Sequence, residues 1–243
     1  MLKSVNFLDE TIFNYLGKDN VIIVKGLLDN FGENPFTDGS FWVQTDENGK
    51  ILCVVICKEQ ETTILNGENA DFEEFKFILS DTVCSLCDYG KKVIDKIYLM
   101  HRFIENPQHN KGINYKEFYK ITDLWKDREN VDSEAKSYRN LKGGCEGIAL
   151  ENQGVIAGGF ISFSGGQSFI SDVFTRENQR KKGYGNIVVN KLLSCSPNKN
   201  NYLFSDEQNR KFYENLGFKA LKIIYKYEKA DIVWQIFLKL VTE

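Results

Sequence analysis

The chain has few of the residues that build metal centres, linkers and membrane spans. Two histidines, His101 and His109, occur in 243 residues. There are six cysteines (Cys53, Cys57, Cys84, Cys87, Cys145 and Cys195), of which Cys84 and Cys87 form a lone C-x-x-C. A structural zinc site needs a second such pair or two suitably spaced histidines. No metal is therefore expected, and the thiols read as reduced, small apolar side chains. Three prolines, Pro35, Pro107 and Pro197, leave no Pro-rich linker. No apolar run approaches the ~20 residues of a membrane span: "ILCVVIC" is short, and "IVWQIFLKLV" is interrupted by Gln235 and Lys239. The start, "MLKSVNFLDETIF", lacks the apolar core of a signal peptide. A cytoplasmic protein with no membrane partner is the expectation. Positive charge is not in excess either: Lys+Arg is 31 against Asp+Glu at 34, a net charge of -3. That balance argues against a general affinity for nucleic acid.

What remains is ordinary globular material, 42% hydrophobic and 27% charged, enough for one large domain or two small ones. The most loop-like stretch is "ENPQHNKGIN" at 105–114. It places a boundary between a first domain at 1–100 and a second at 101–243, with "KIYLMHRF" as the first strand near that boundary.

The second half reads clearly from Cys145. "CEGIAL", "VIAGGFISF" and "SFISDVFT" are strands separated by the turn signals "ENQG" and "SGGQ", with Gly154 and the Gly165–Gly166 pair supplying the turns. Gly158 and Gly159 mark a bulge. After Gly185 the period changes to that of a helix, with Ile187, Val188, Val189, Leu192 and Leu193 on its apolar face. "NYLFSD" is a short strand, "EQNRKFYENLG" a helix ended by Gly217, and "FKALKIIYKYEK" a last strand. The fold class is α+β (mixed α/β), and the order is β-β-β-α-β-α-β.

A fainter version of the meander occurs earlier. Shifted by 105, "FWVQTDENGKILCVVICKEQETTIL" lies on "EGIALENQGVIAGGFISFSGGQSFI", and Gly49 falls on Gly154. "LDETIFNYL" falls in the same way on "INYKEFYKI". The likeness stops after Leu65, where "NGENADFEEFKF" carries three Glu and an Asp and has neither a glycine pair nor a basic cluster.

In the second half the corresponding stretch is "RENQRKKGYGNIVVNKLL". Arg180, Lys181 and Lys182 precede Gly183, Tyr184 and Gly185, at the start of the helix. A helix N-terminus presents unpaired N–H groups and the positive end of the macrodipole, and nearby glycines let an anion approach the backbone. The stretch is neither G-x-x-x-x-G-K-[ST] nor G-x-G-x-x-G, since Val188 stands at the sixth position from Gly183. On these residues alone, a phosphate cradle and a solvated helix start both remain open.

"VFTRENQRKKGYGNIVVNKLL" followed by "NYLFSDEQNRKFYENLGF" resembles the GNAT superfamily of acyl-CoA-dependent N-acetyltransferases. The likeness covers roughly 145–228. Arg180, Gly183 and Gly185 match that superfamily's R-x-x-G-x-G/A loop, and Tyr213 matches the tyrosine that faces the departing thiolate. The resemblance implies tandem GNAT-like domains, each a mostly antiparallel central sheet flanked by helices, with a degenerate first half and a catalytic second half. The opening "FNYLGKDNVIIVKGLLDNFG" is similar to the two helices that often begin such chains.

The resemblance further implies acetyl-CoA as acyl donor and a primary amine as acceptor, with a non-catalytic acyl-CoA-binding or regulatory module as the alternative. The backbones of Val173, Phe174 and Thr175 would hold the pantetheine arm. The N–H groups from Arg180 through Lys181, Lys182, Gly183, Tyr184 and Gly185 would hold the pyrophosphate, with Asn186 at the first turn. Tyr213 would assist departure of coenzyme A. GNAT chains often carry an Asn seven residues before this tyrosine. Here Asp206 stands there, either as a coenzyme contact or as a helix cap, and Asn209 stands where a small residue is usual. Asp172 is the first candidate for the general base and Glu146 the second. If the strand alternates regularly, Asp172 and Phe174 share one face and Val173 and Thr175 the other. A homodimer is left open.

Overall fold

The computed structural model describes residues 1–4, 10–29, 41–58, 61–66, 82–85, 93–112, 144–151, 154–164 and 166–227. The chain divides into two units. One holds the described residues of Met1–Ile22, Asn34–Tyr98 and Lys222–Glu243, the other those of Ile23–Glu33 and Leu99–Leu221.

In the first unit, strand β1 (Leu2–Ser4) pairs with β2 (Phe41–Thr45), and β2, β3 (Ile51–Lys58) and β4 (Glu61–Leu65) form an antiparallel meander. The turn after β2 is closed by the Asp46 carboxylate, which accepts from the N–H groups of Asn48 and Lys50 at 2.9 Å, and by Gly49 at φ 81°. Strand β5 (Thr82–Ser85) then pairs in parallel with β4, in four steps from Glu61–Thr82 to Ile64–Ser85. Helix α1 (Glu10–Asp29, of which Glu10–Ile22 falls here) is two helices joined at Gly17, whose φ 72° and ψ 167° are not helical. The two opening helices expected from the sequence are thus present, with the break where glycine makes the conformation cheap.

In the second unit, β6 (Val93–Phe103, of which Leu99–Phe103 falls here) lies beside β10 (Asn200–Asp206). The order continues through β9 (Gln167–Thr175) and β8 (Val155–Ser164) to β7 (Cys145–Glu151). β7, β8 and β9 are antiparallel, and β9 and β10 are parallel from Gln167–Asn200 to Ile170–Leu203. Helix α2 (Tyr184–Cys195) packs on β7, β8 and β9 through Val188, Val189, Leu192 and Leu193, all buried. Ile187, expected on that face, is 44% exposed; in the helix it points away from the stripe centred on Val188 and Leu192. Helix α3 (Glu207–Asn215) follows β10 directly, and β11 (Lys219–Tyr227, of which Lys219–Leu221 falls here) starts after Gly217, which holds φ 83° at the helix end as expected.

Buried polar groups pin one end of the parallel pair. Ser168 Oγ and Ser196 Oγ are 2.7 Å apart, and the Asn198 amide donates to Ser168 Oγ at 3.0 Å and to the Gln167 carbonyl at 2.9 Å. The connection after α2 is thereby tied to the first residues of β9. The other end of the pair parts after Ile170 and Leu203.

The correspondence between the halves differs from the single shift of 105. The second hairpin and the parallel ladder put Glu61 on Gln167 and Ile64 on Ile170, a shift of 106. Asn66 then corresponds to Asp172. Both are non-glycine residues in the left-handed region, at φ 54° and 51°.

Candidate functional site

The site is built where β9 leaves β10. β9 runs on past Ile170 to Thr175, while its ladder to β8 shifts register between Gly158–Phe174 and Phe160–Ser171. Asp172 and Val173 therefore face the single residue Gly159. This is a β-bulge, and its first residue, Asp172, is left-handed. Gly159 is required there. A Cβ on it would stand 3.2 Å from Val173 Cα and 3.2 Å from Leu192 Cδ1. The expected alternation of faces is corrected at one point. Val173 lies on the α2 side, against Gly159 and Leu192, and Thr175 joins it there near Gly185, but the bulge takes Asp172 out of regular alternation.

Beyond Thr175 a 3-10 turn, Glu177–Gln179, leads into the basic loop. The loop is held by its own polar groups. Arg180 Nε donates to the Thr175 carbonyl at 3.3 Å, the Arg180 N–H to the Glu177 carbonyl at 3.2 Å, and Lys182 Nζ to Gln179 Oε1 at 3.0 Å. Lys181 (φ 61°) and Gly183 (φ 83°) are left-handed. Arg180, Lys181, Lys182 and Gly183 are exposed. Gly183 precedes α2 with no side chain capping it, and no acidic residue lies in the first turn. The first helical bond of α2 runs from the Ile187 N–H to the Gly183 carbonyl at 3.2 Å, so the N–H groups of Tyr184, Gly185 and Asn186 precede the repeating pattern. Asn186 accepts from the Asn190 amide at both its carbonyl and its side-chain oxygen.

The two loop glycines do different work. Nothing lies within 4 Å of a Cβ on Gly183, so backbone conformation is its reason. Gly185 is needed for space, because its Cβ would stand 3.3 Å from Phe212 Cζ. Phe212 brings α3 against the start of α2, and its ring is 4.9 Å, edge-on, from that of Tyr213. Tyr213 also meets Phe218 edge-on at 6.0 Å. Burial first, then the charges of Asp206 and Asp172, push the Tyr213 phenol up to about 12. It therefore stays protonated as a hydrogen-bond donor, and the Asp172 carboxylate is near enough to be felt there.

Asp206 caps α3. Its carboxylate accepts from the Asn209 N–H at 2.7 Å and from the Asn209 side chain at 3.1 Å. The two residues considered for the displaced asparagine are thus bonded to each other. Glu146 Oε2, near the start of β7, accepts from the Gly112 N–H at 2.9 Å. The Cys145 thiol is pushed up to about 12, mainly by burial and then by Glu146, with Asp172 adding to the effect. Gly159 and Phe212 are the residues that reading the sequence for chemistry did not single out as part of the site. The sequence signals were the second glycine of the Gly158–Gly159 pair and the phenylalanine of "FYENLGF". No group of His, Cys, Asp and Glu able to hold a metal occurs among the described residues. Cys87, Gly165 and the stretches "INYKEFYKI" and "NGENADFEEFKF" beyond Asn66 lie outside them.

Residues 114–218 match the family model described as Acetyltransferase (GNAT) family. The match takes in the bulge, the basic loop, α2 and Tyr213, and covers less than half of the chain. The fold is that of GNAT proteins. A GCN5-related N-acetyltransferase from Sphaerobacter thermophilus is similar over 78% of this chain and 80% of its own, with TM-score 0.59 at 9% identity. One from Kribbella flavida is similar over 74% and 87%, with TM-score 0.52 at 12% identity. A functionally unknown conserved protein from Staphylococcus epidermidis is similar over 77% and 93%, with TM-score 0.56 at 10% identity. No curated protein matches the chain. In this GNAT fold, the mostly antiparallel sheet flanked by helices agrees with the fold class expected from the sequence.

Proposed function

We propose that the chain is an acyl-CoA-dependent N-acetyltransferase that carries acetyl from acetyl-CoA to a primary amine by direct attack. One observation carries this reading. Within the GNAT-matching residues, an uncapped helix start flanked by Arg180, Lys181 and Lys182 follows directly on a strand that has parted from its parallel neighbour.

Acetyl-CoA supplies the activated thioester. The pyrophosphate is assigned to the N–H groups between Arg180 and Asn186, including those of Tyr184 and Gly185, where the helix macrodipole and three basic side chains favour an anion. The backbones of Val173, Phe174 and Thr175 are assigned to the pantetheine arm, which would add to the edge of β9 as a strand does. An N–H at the bulge would stabilise the oxyanion. Asp172 takes the amine's proton as the carbon–nitrogen bond forms, and Tyr213 donates a hydrogen bond to the sulfur as the carbon–sulfur bond breaks. A thiol pushed up to about 12 is a poor nucleophile at neutral pH, which supports a route without Cys145 as a covalent carrier. Asn209 is the weakest of the assigned coenzyme contacts, since its amide is engaged by Asp206.

The domain reading belongs to the same proposal. Residues 1–100 are a degenerate GNAT-like copy and 101–243 the catalytic one. The repeated hairpin, the two four-step parallel ladders and the left-handed pair Asn66 and Asp172 support a duplication.

The test is incubation with acetyl-CoA and a panel of amines, following free thiol release and the mass of acetylated products. Thiol release matched by an acetylated amine is the expected result. Tight acetyl-CoA binding with no turnover on any amine replaces this reading with that of a non-catalytic acyl-CoA-binding module.

A further inference from the structure

Two phenylalanines, Phe174 and Phe204, flank the place where β9 leaves β10, and both lie on the sheet face opposite α2. Contacts fix the faces. Ser168 bonds Ser196 at the end of α2, so Ser168 is on the α2 face and Phe169 on the other. Tyr202 stacks on Phe169, with ring centroids 5.4 Å apart. Phe204, two residues further along β10, therefore shares their face. On β9 beyond the bulge, Val173 Cγ2 and Thr175 Oγ1 lie on the α2 side, 3.3 and 3.8 Å from where Cβ atoms on Gly159 and Gly185 would stand. Phe174, between them, faces the opposite way. Both rings are half-buried. Tyr202 is sealed by Phe169 and His101, whereas among the described residues no aromatic ring contacts Phe174 or Phe204. The cross-strand row beside Phe174 runs through Gly158 to Ala149, so β8 and β7 offer only a hydrogen and a methyl there.

The coenzyme assigned above reaches the parting from the α2 face, where the basic loop stands. An attacking amine must approach the thioester from the side the coenzyme leaves open, the face of Phe174 and Phe204. One carboxylate belongs to this stretch. Asp172 falls on β9 between Phe174 and the last ladder step, Ile170–Leu203, which Phe204 follows directly. Asp206 is engaged by Asn209. Glu146 lies in the row of Ile161 and Ile170, on the α2 face. A polycation calls for several acids. Two rings and one carboxylate instead suit a single ammonium on a flat apolar body, since aromatic faces pack against such a body and also attract a cation.

We infer that the acceptor is a primary amine borne on an aromatic or similarly flat apolar group, held between Phe174 and Phe204 with its nitrogen at Asp172. This rests on the N-acetyltransferase reading above and deepens it by naming the acceptor's class.

The test compares kcat/KM for 2-phenylethylamine, ethylamine and spermidine at saturating acetyl-CoA, in the wild-type chain and in Phe204→Ala. Ethylamine keeps the ammonium and lacks the ring. The wild type should prefer 2-phenylethylamine over ethylamine by roughly 10- to 100-fold, the value of burying a phenyl ring expressed as a rate ratio. Phe204→Ala should lower that ratio by about tenfold, within the same range, with the dissociation constant of acetyl-CoA unchanged. A wild-type ratio near one, a preference for spermidine, or turnover of other amines but not of 2-phenylethylamine overturns the inference and leaves the N-acetyltransferase reading intact. Equal losses on 2-phenylethylamine and ethylamine in Phe204→Ala also overturn it, because a merely structural phenylalanine would not change the ratio. If that variant does not fold, the wild-type ratio decides alone. Tight acetyl-CoA binding with no turnover on any amine removes the N-acetyltransferase reading and this inference together.

Discussion

Gly185 lies against Phe212 so closely that a Cβ at position 185 would reach to 3.3 Å from the ring's Cζ. The start of α2, which carries the proposed phosphate cradle, and α3, which carries Tyr213, are thereby set at a distance that only glycine permits. Gly185→Ala should push Phe212 aside by a few tenths of an ångström. Overpacking of this kind costs roughly 1–3 kcal/mol. A lower melting temperature together with weaker acetyl-CoA binding is expected, read by thermal unfolding and titration. Unchanged binding would show that the two helix ends are not coupled through this contact.

Tyr213→Phe removes the hydroxyl and leaves the ring contacts with Phe212 and Phe218 in place. General acid assistance is commonly worth about 10²–10⁴-fold. The expected result is a kcat lower by about that factor with little change in KM for acetyl-CoA. Equal losses in both would assign Tyr213 to binding instead.

Stability should decline in alkali. Burial raises the folded-state value of Cys145 from 9.0 to about 12 and that of Tyr213 from 10.0 to about 12. Below pH 9 both groups are protonated whether the chain is folded or not. As pH rises from 9 to 12 the unfolded chain releases these protons first, so the unfolding free energy falls. Urea unfolding at pH 8, 9.5 and 11 measures this. The slope above pH 10 should be shallower in Tyr213→Phe, and an identical slope would contradict the assignment.

Asp206→Ala should cost about 1 kcal/mol, the usual value of an N-cap, because the Asn209 N–H and side chain lose their partner. Asp206→Asn keeps an acceptor and should recover most of that stability. Thermal melts of the two variants decide. Equal losses would mean that charge, rather than capping, is what Asp206 supplies.

The local elements were readable because each depends on near neighbours in the chain. The turns at Gly49 and Gly154 and the end of α3 at Gly217 all use left-handed glycine, and the buried face of α2 follows the helical repeat. Ile187 departed from that reading because five consecutive-looking apolar residues span more of a helix than one buried stripe can cover. The bonds from Asn209 to Asp206 show the helix cap that the sequence offered as one reading of an aspartate before a helix.

The sequence by itself determined where a basic, glycine-flanked helix start lies. Arg180, Lys181, Lys182, Gly183 and Gly185 are contiguous or nearly so, and a helix start needs no distant partner to expose its N–H groups. Only the tertiary structure decided that Gly159 makes room for the bulge at Asp172, that Phe212 sets Gly185, and that Asn66 clasps the broken helix at Tyr15. Those pairings join residues 13 to 51 positions apart. Steric fit and hydrogen bonding across such separations are properties of packed strands and helices, which residue order encodes but local pattern does not display.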